Sequence, residues 1–173
     1  MRSAIIAFAI LTGLVGGANA QHLKSNKGHE NNPYYSNTDT RHLTVSDAEW
    51  KRILPPALYA TAREQATERP FTGLYWDKNA KGTYYCAVCG NELFRSDAKF
   101  ASNCGWPSFY QAVRKNSVVY KNDSSYGMQR TEVICARCRS HLGHIFDDGP
   151  PPTFKRFCMN SISLDFEPDG LGK

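Results

Sequence analysis

Six cysteines hold most of the chemistry available to this sequence. Four of them form two C-x-x-C pairs: Cys86-Ala87-Val88-Cys89, followed by Gly90, and Cys135-Ala136-Arg137-Cys138. Two thiolates at that spacing fit one edge of a metal tetrahedron, and the glycine allows the backbone to turn tightly around the sulfur. Forty-five residues separate the pairs. A long intervening segment can still be closed, because closure entropy grows slowly with length. Four thiolates leave no open coordination position. The pattern therefore predicts one structural Zn²⁺ per chain, held by Cys86, Cys89, Cys135 and Cys138, rather than a catalytic metal. Two disulfides rank second in an exported chain. A thioredoxin-like redox pair would need a βαβ surround that neither pair has. A rubredoxin-type iron would use the same four ligands.

Cys104 and Cys158 remain. Cys104 lies in Ser102-Asn103-Cys104-Gly105-Trp106-Pro107-Ser108-Phe109, and Cys158 in Arg156-Phe157-Cys158-Met159-Asn160-Ser161. A fixed disulfide is the plainest use of two leftover cysteines. Their neighbours suggest another. Arg156 is placed to favour a thiolate at Cys158 by charge. On a strand, Asn160 shares a face with Cys158. His141 and His144, two of only five histidines, stand three apart around Gly143 and can donate a proton or polarise an oxyanion. With zinc saturated by four sulfurs, a ligand role for them at that site is disfavoured. Gly-Trp-Pro-Ser puts the ring of Trp106 in a turn, where an exposed aromatic wall suits a thioether methyl.

Several elements must position these groups. The first twenty residues carry one charge, Arg2, then the apolar run Ala4 to Leu11, and end Ala18-Asn19-Ala20. That is the pattern of a secretory signal peptide cleaved after Ala20, and the run is too short for a stable membrane anchor. Export to the periplasm or outside the cell is the expectation. Residues 21–44 are polar and poor in aliphatics and predict a flexible leader. Ser46-Asp47-Ala48-Glu49 has capping-box spacing and opens a short helix with Trp50, Ile53 and Leu54 on one face. Pro55-Pro56 interrupts it, and Pro56 opens a second helix from Ala57 to about Ala66 with Leu58 and Ala62 inward. From Phe71 onward, short aromatic and β-branched runs alternate with Gly, Asn and Asp. Thr83–Tyr85, Ser117–Tyr120, Met128–Ile134 and Ser161–Phe166 read as antiparallel strands. No long helical period intervenes, so a parallel α/β fold is disfavoured. The chain of 173 residues, 41% hydrophobic and 21% charged, suits one domain. Its net charge of +5 is scattered, which gives no argument for nucleic acid.

Taken in order, the stretches Thr67-Glu68-Arg69-Pro70-Phe71-Thr72-Gly73, Cys86-x-x-Cys89, Cys104-Gly105-Trp106-Pro107-Ser108-Phe109, Cys135-x-x-Cys138, His141-Leu142-Gly143-His144 and Arg156-Phe157-Cys158-Met159-Asn160-Ser161 resemble the type B methionine sulfoxide reductases. The resemblance covers residues 45–167, between the leader and a short tail over 168–173. Asn103 stands where members often have Gly, and Phe157 and Met159 replace the common Tyr and Ile or Val; no reactive group is lost. The resemblance implies a mainly β fold of two antiparallel sheets, tent-like, with short N-terminal helices and a structural zinc site. It implies reduction of the R epimer of methionine sulfoxide, free or in proteins. Cys158 would be the nucleophile, passing through a sulfenic acid, and Cys104 the resolving cysteine. His141 and His144 would be proton donors, with Asn160 orienting and Trp106 and Arg156 lining the substrate site. A thioredoxin-like reductant would recycle the disulfide. The rivals are a secreted zinc-ribbon binding module with a fixed Cys104–Cys158 disulfide and a general thiol–disulfide oxidoreductase working through a C-x-x-C pair.

Overall fold

Ser46 caps the first helix as its spacing requires. In the computed structural model, which describes His29 and residues 31–170, its Oγ accepts from the Glu49 amide at 3.2 Å. Helix α1 runs Asp47–Ile53 and buries Trp50. Helix α2 runs Pro56–Glu64, with Pro56 at its first position, and turns Leu58, Thr61 and Ala62 inward. It stops two residues before the expected end, because Gln65 takes the left-handed conformation at the C-cap. The segment expected to be a signal peptide lies outside the described residues. No helix among the described residues is long and apolar enough to cross a membrane.

Nine strands follow among the described residues: β1 (Gly82–Cys86), β2 (Glu92–Arg95), β3 (Lys99–Phe100), β4 (Ser108–Phe109), β5 (Val118–Asp123), β6 (Arg130–Cys135), β7 (His141–Phe146), β8 (Arg156–Met159) and β9 (Leu164–Pro168). They form two antiparallel sheets. One has the order β2-β1-β9, the other β3-β4-β8-β7-β6-β5. Aromatic side chains fill the space between them. Tyr84 of β1 and Phe94 of β2 pack on Phe109 of β4, the second pair stacked at 4.4 Å, and Phe157 of β8 meets Phe94 edge-on at 5.5 Å. Such pairs contribute about 0.5–1.5 kcal/mol each beyond their buried area.

Because Phe157 faces this core, Cys158 faces the opposite side of the larger sheet. Direct pairing sets Ser108 opposite Cys158, Cys158 opposite His144, and His144 opposite Glu132. One cross-strand row on the outer face thus links β4, β8, β7 and β6. His141 and His144 are an odd number of residues apart and would point to opposite faces of a regular strand. The register shifts between Val133 and Ile134, whose partners are Gly143 and His141, so Leu142 is bulged out. The bulge brings both rings to one side, with centroids 5.5 Å apart.

Two sequence expectations change. Ser161–Ser163 is a 3₁₀ turn, and the strand begins only at Leu164. Part of the expected flexible leader is packed on the domain. Asn32 is 7% exposed and donates to the Val88 carbonyl at 2.7 Å; the amides of Ser36 and Leu43 bond the carbonyls of Cys89 and Arg137. The ring of Tyr34 lies edge-on to Trp50 at 5.3 Å. A polar composition made this stretch look solvated. Its polar groups are instead spent on backbone groups of the two C-x-x-C turns.

Candidate active site and metal centre

Cys86 ends β1 and Cys135 ends β6, so each C-x-x-C turn leaves from a different sheet. The turns are built alike. The amides of Gly90 and Arg139 bond back to the carbonyls of Cys86 and Cys135 at 2.8 and 2.9 Å, and both residues take positive φ, 77° and 64°. All four sulfurs lie within 4.8 Å of one another. The Cys86–Cys138 and Cys89–Cys135 separations are both 3.7 Å. A tetrahedral zinc with bonds of about 2.3 Å sets its sulfurs about 3.8 Å apart. The residues therefore fit a zinc ion, which would join the two sheets. The four are at most 3% exposed, so no exchange partner can reach them, which argues against their being an active redox pair. Burial pushes the Cys86 and Cys89 thiols well up, so several buried thiolates need a cation beside them.

The other two cysteines meet elsewhere. Cys104, in the loop before β4, has its Sγ 3.5 Å from the Sγ of Cys158 on β8, and the two are not bonded. The hydroxyls of Ser102 and Ser108 approach Cys104 at 2.9 and 3.4 Å. Hydrogen bonding from Cys158, then from these hydroxyls, lowers the Cys104 thiol to about 4. The same contact, with burial, pushes the Cys158 thiol up, while Arg156 acts the other way. The pair thus holds one negative charge and one proton between its sulfurs. Arg156 favours a thiolate on Cys158, as its place in the sequence predicts, but a charged neighbour in contact opposes it until the proton moves.

Cys158 opens into a small pocket of about 120 Å³ whose walls include Thr67, Trp106, Arg130, His144, Phe146 and Asn160. Gly143 lies across the strand from this site, and a Cβ there would fall 2.1 Å from the Cys158 carbonyl oxygen. Only glycine lets β7 run this close to β8. Of the residues singled out in the sequence, Cys158, Cys104, Trp106, His144 and Asn160 come together here. His144 is held by Asp123 at 2.7 Å. His141 stands behind it, bonded through Nδ1 to Glu132 at 2.7 Å, and faces a neighbouring concavity. Arg156 forks onto Asp148 with two contacts of 2.8 Å and stacks at 4.4 Å on Phe146, so it backs the pocket wall.

Glu68 received no role from sequence. Its backbone amide donates to Asn160 Oδ1 at 3.1 Å, and its carbonyl accepts from Trp106 Nε1 at 3.2 Å. Its carboxylate accepts from the amides of Ser161 and Ile162 at 2.6 and 3.1 Å. One residue thus ties the aromatic wall, Asn160 and the turn after β8 together. Its place in the Thr67–Gly73 stretch was the only sequence signal. Glu132 and Asp123, which hold the histidines, gave none.

Two unbonded thiols 3.5 Å apart beside a pocket walled by Trp106 form an arrangement able to carry thiol redox chemistry. The SelR domain model matches residues 54–168. The chain is 56% identical over 123 residues to "Peptide methionine sulfoxide reductase MsrB" of Thiobacillus denitrificans, covering 71% of this chain and 93% of that one. It is 55% identical over 129 residues to the protein of the same name from Methanosarcina barkeri, covering 74% and 90%, and 52% identical over 120 residues to that of Pseudomonas putida, covering 69% and 90%. The chain belongs to the SelR family, the type B methionine sulfoxide reductases.

Proposed function

We propose that the protein reduces the R epimer of methionine sulfoxide, free or within polypeptides, with Cys158 as nucleophile and Cys104 as resolving cysteine. The observation that carries this reading is the 3.5 Å approach of two free sulfurs at a pocket walled by Trp106. Cys158 passes its proton to the Cys104 thiolate and attacks the sulfoxide sulfur. The sulfoxide oxygen is protonated by His144, the histidine in the pocket, with His141 in the row behind it, while Asn160 orients it. Methionine leaves, reduced by two electrons, and Cys158 becomes a sulfenic acid. Cys104 then attacks the Cys158 sulfur. The S–O bond breaks, water leaves and a disulfide forms. The sulfurs must close from 3.5 Å to about 2.05 Å. An external dithiol of thioredoxin type restores both thiols by exchange, and the reaction serves repair of oxidised proteins.

Zinc at Cys86, Cys89, Cys135 and Cys138 belongs to the same proposal; when bound it cross-links the two sheets and takes no part in electron transfer. Export with cleavage after Ala20 also belongs to it, resting on the Ala4–Leu11 run and Ala18-Asn19-Ala20. Incubation with each sulfoxide epimer and dithiothreitol tests the activity. Methionine is expected from the R epimer alone. No methionine from either, or equal amounts from both, would overturn the reading.

A further inference from the structure

Beside the Cys158 pocket lies a larger concavity of about 490 Å³, and the two share Thr67, Arg130 and His144 in their walls. Its polar groups are unevenly matched. Glu64, at the end of α2, is exposed and has no ion-pair or hydrogen-bond partner among the described residues. Glu132 is 3% exposed; its Oε1 takes Gln65 Nε2 at 3.0 Å and His141 Nδ1 at 2.7 Å, and its Oε2 lies 3.9 Å from Lys121 Nζ. A carboxylate only accepts, so Nδ1 carries a proton; burial disfavours a second one, and the neutral ring then presents a lone pair at Nε2. That nitrogen is buried without a partner, on a residue 3% exposed. Arg130 is the one cation in the wall among the described residues; Asp123 engages its Nη2 at 2.6 Å, and its Nε is buried without a partner. The wall thus carries three carboxylates, of Glu64, Asp123 and Glu132, against one cation, and its acceptors without a partner are the Glu64 carboxylate and His141 Nε2. Met128 and Tyr126, both exposed, add apolar surface to the lining.

We propose that this concavity is a subsite for the residue next to the methionine sulfoxide in a polypeptide, and that it selects a long cationic side chain, lysine or arginine, over a neutral or acidic one. The proposal rests on the reading above that peptide-bound sulfoxide is reduced at Cys158. The geometry suits it. Cys158, His144 and Glu132 face one another on successive strands, so Glu132 is two strand spacings from the nucleophile, about 10 Å. One residue step along an extended peptide plus a long side chain spans that distance. The aliphatic stem covers Met128 and Tyr126 while the charged end reaches the acceptors. Free methionine sulfoxide fills only the smaller pocket.

The test compares capped peptides in which methionine sulfoxide is flanked, on either side, by Lys, Gln or Glu, with dithiothreitol as donor. The order in kcat/KM is expected to be Lys, then Gln, then Glu, carried mainly by KM, with about fivefold or more between the extremes. The preference should narrow as ionic strength rises. Glu64→Gln should shrink the Lys-to-Glu ratio measured within that variant, and Glu64→Lys should invert it. Equal rates for the three peptides in the unmodified enzyme, or a ratio unmoved by Glu64→Lys, would overturn the subsite. Should Glu64→Lys not fold, the wild-type ratio and its salt dependence decide. Failure to reduce any peptide would overturn the assigned activity instead.

Discussion

The sulfur of Cys104 sits 3.5 Å from that of Cys158, although 54 positions separate them and only one is on a strand. Ser108 explains how. It begins β4, pairs directly with Cys158 across the sheet, and places its own hydroxyl 3.4 Å from Cys104. The loop carrying Cys104 is therefore fixed to the strand that carries its partner.

This arrangement divides labour between the two thiols. Cys158→Ser should yield no methionine under any donor. Cys104→Ser should still release one methionine per enzyme in a single turnover, leaving a sulfenic acid, and should then stall with a thioredoxin-type donor. Dithiothreitol should sustain some turnover. A stoichiometric burst from Cys158→Ser and none from Cys104→Ser would reverse the roles.

The shared charge predicts a pH profile. The Cys104 thiol is lowered from the ordinary thiol range to about 4, so its thiolate is present above that pH and lost below it. Alkylation of the pair by iodoacetamide should stay nearly flat from pH 8 to pH 5 and fall through about pH 4, where a free cysteine would fall near 8.5. In Cys104→Ser the main cause raising Cys158 is gone, and Arg156 still favours its charge. The Cys158 thiol should then titrate lower than in the parent enzyme, read from its own alkylation rate.

Glu68 should act on catalysis through the residues it holds. Glu68→Ala removes the carboxylate that holds the Ser161 and Ile162 amides, and so loosens the turn directly after Asn160, while the backbone bonds to Asn160 and Trp106 stay. A displacement of about 1 Å at a reacting centre costs about 10²-fold. The expected loss in kcat/KM is of that order, falling on kcat for the sulfoxide step. Glu68→Gln, which keeps one side-chain acceptor for these amides, should recover much of it. A fall in thermal stability with kcat/KM unchanged would make the residue purely structural.

Elemental analysis should find one zinc per chain. Cys89→Ser should release it and lower stability by several kcal/mol, since structural zinc binding in isolated fingers is worth about 10–16 kcal/mol. Arg137 is 3% exposed and bonds the carbonyls of Tyr34 and Cys89 and the carboxylate of Asp39. Arg137→Ala should cost about 2–4 kcal/mol and speed metal loss to a chelator. Fully active protein free of metal would contradict the assignment.

The parts of this molecule that could be read from sequence are those set by local rules. The Ser46 cap, the start at Pro56, the strand cores around Tyr84 and Val133 and the two C-x-x-C turns all depend on neighbours a few residues away. The contacts that finish the site do not. Glu68 meets Ser161 and Ile162 across more than 90 positions, and Gln65 meets Glu132 across 67. No periodicity records such partners. The Leu142 bulge is a further case: spacing alone separates His141 from His144, and only pairing with β6 reunites them. Asn32 looked like linker because composition counts a polar side chain as solvated, whatever carbonyl it later finds.

The strap over the C-x-x-C turns also orders events in time. Synthesis runs from the N-terminus, so Asn32, Ser36 and Leu43 emerge long before Val88, Cys89 and Arg137, the groups they bond. The earliest described segment is thus among the last that can dock. A chain sealed without metal would enclose four thiols that are each at most 3% exposed, leaving a late-arriving ion little open path to them. On the zinc assignment, loading is expected before closure, and the strap then serves as a latch over a filled site.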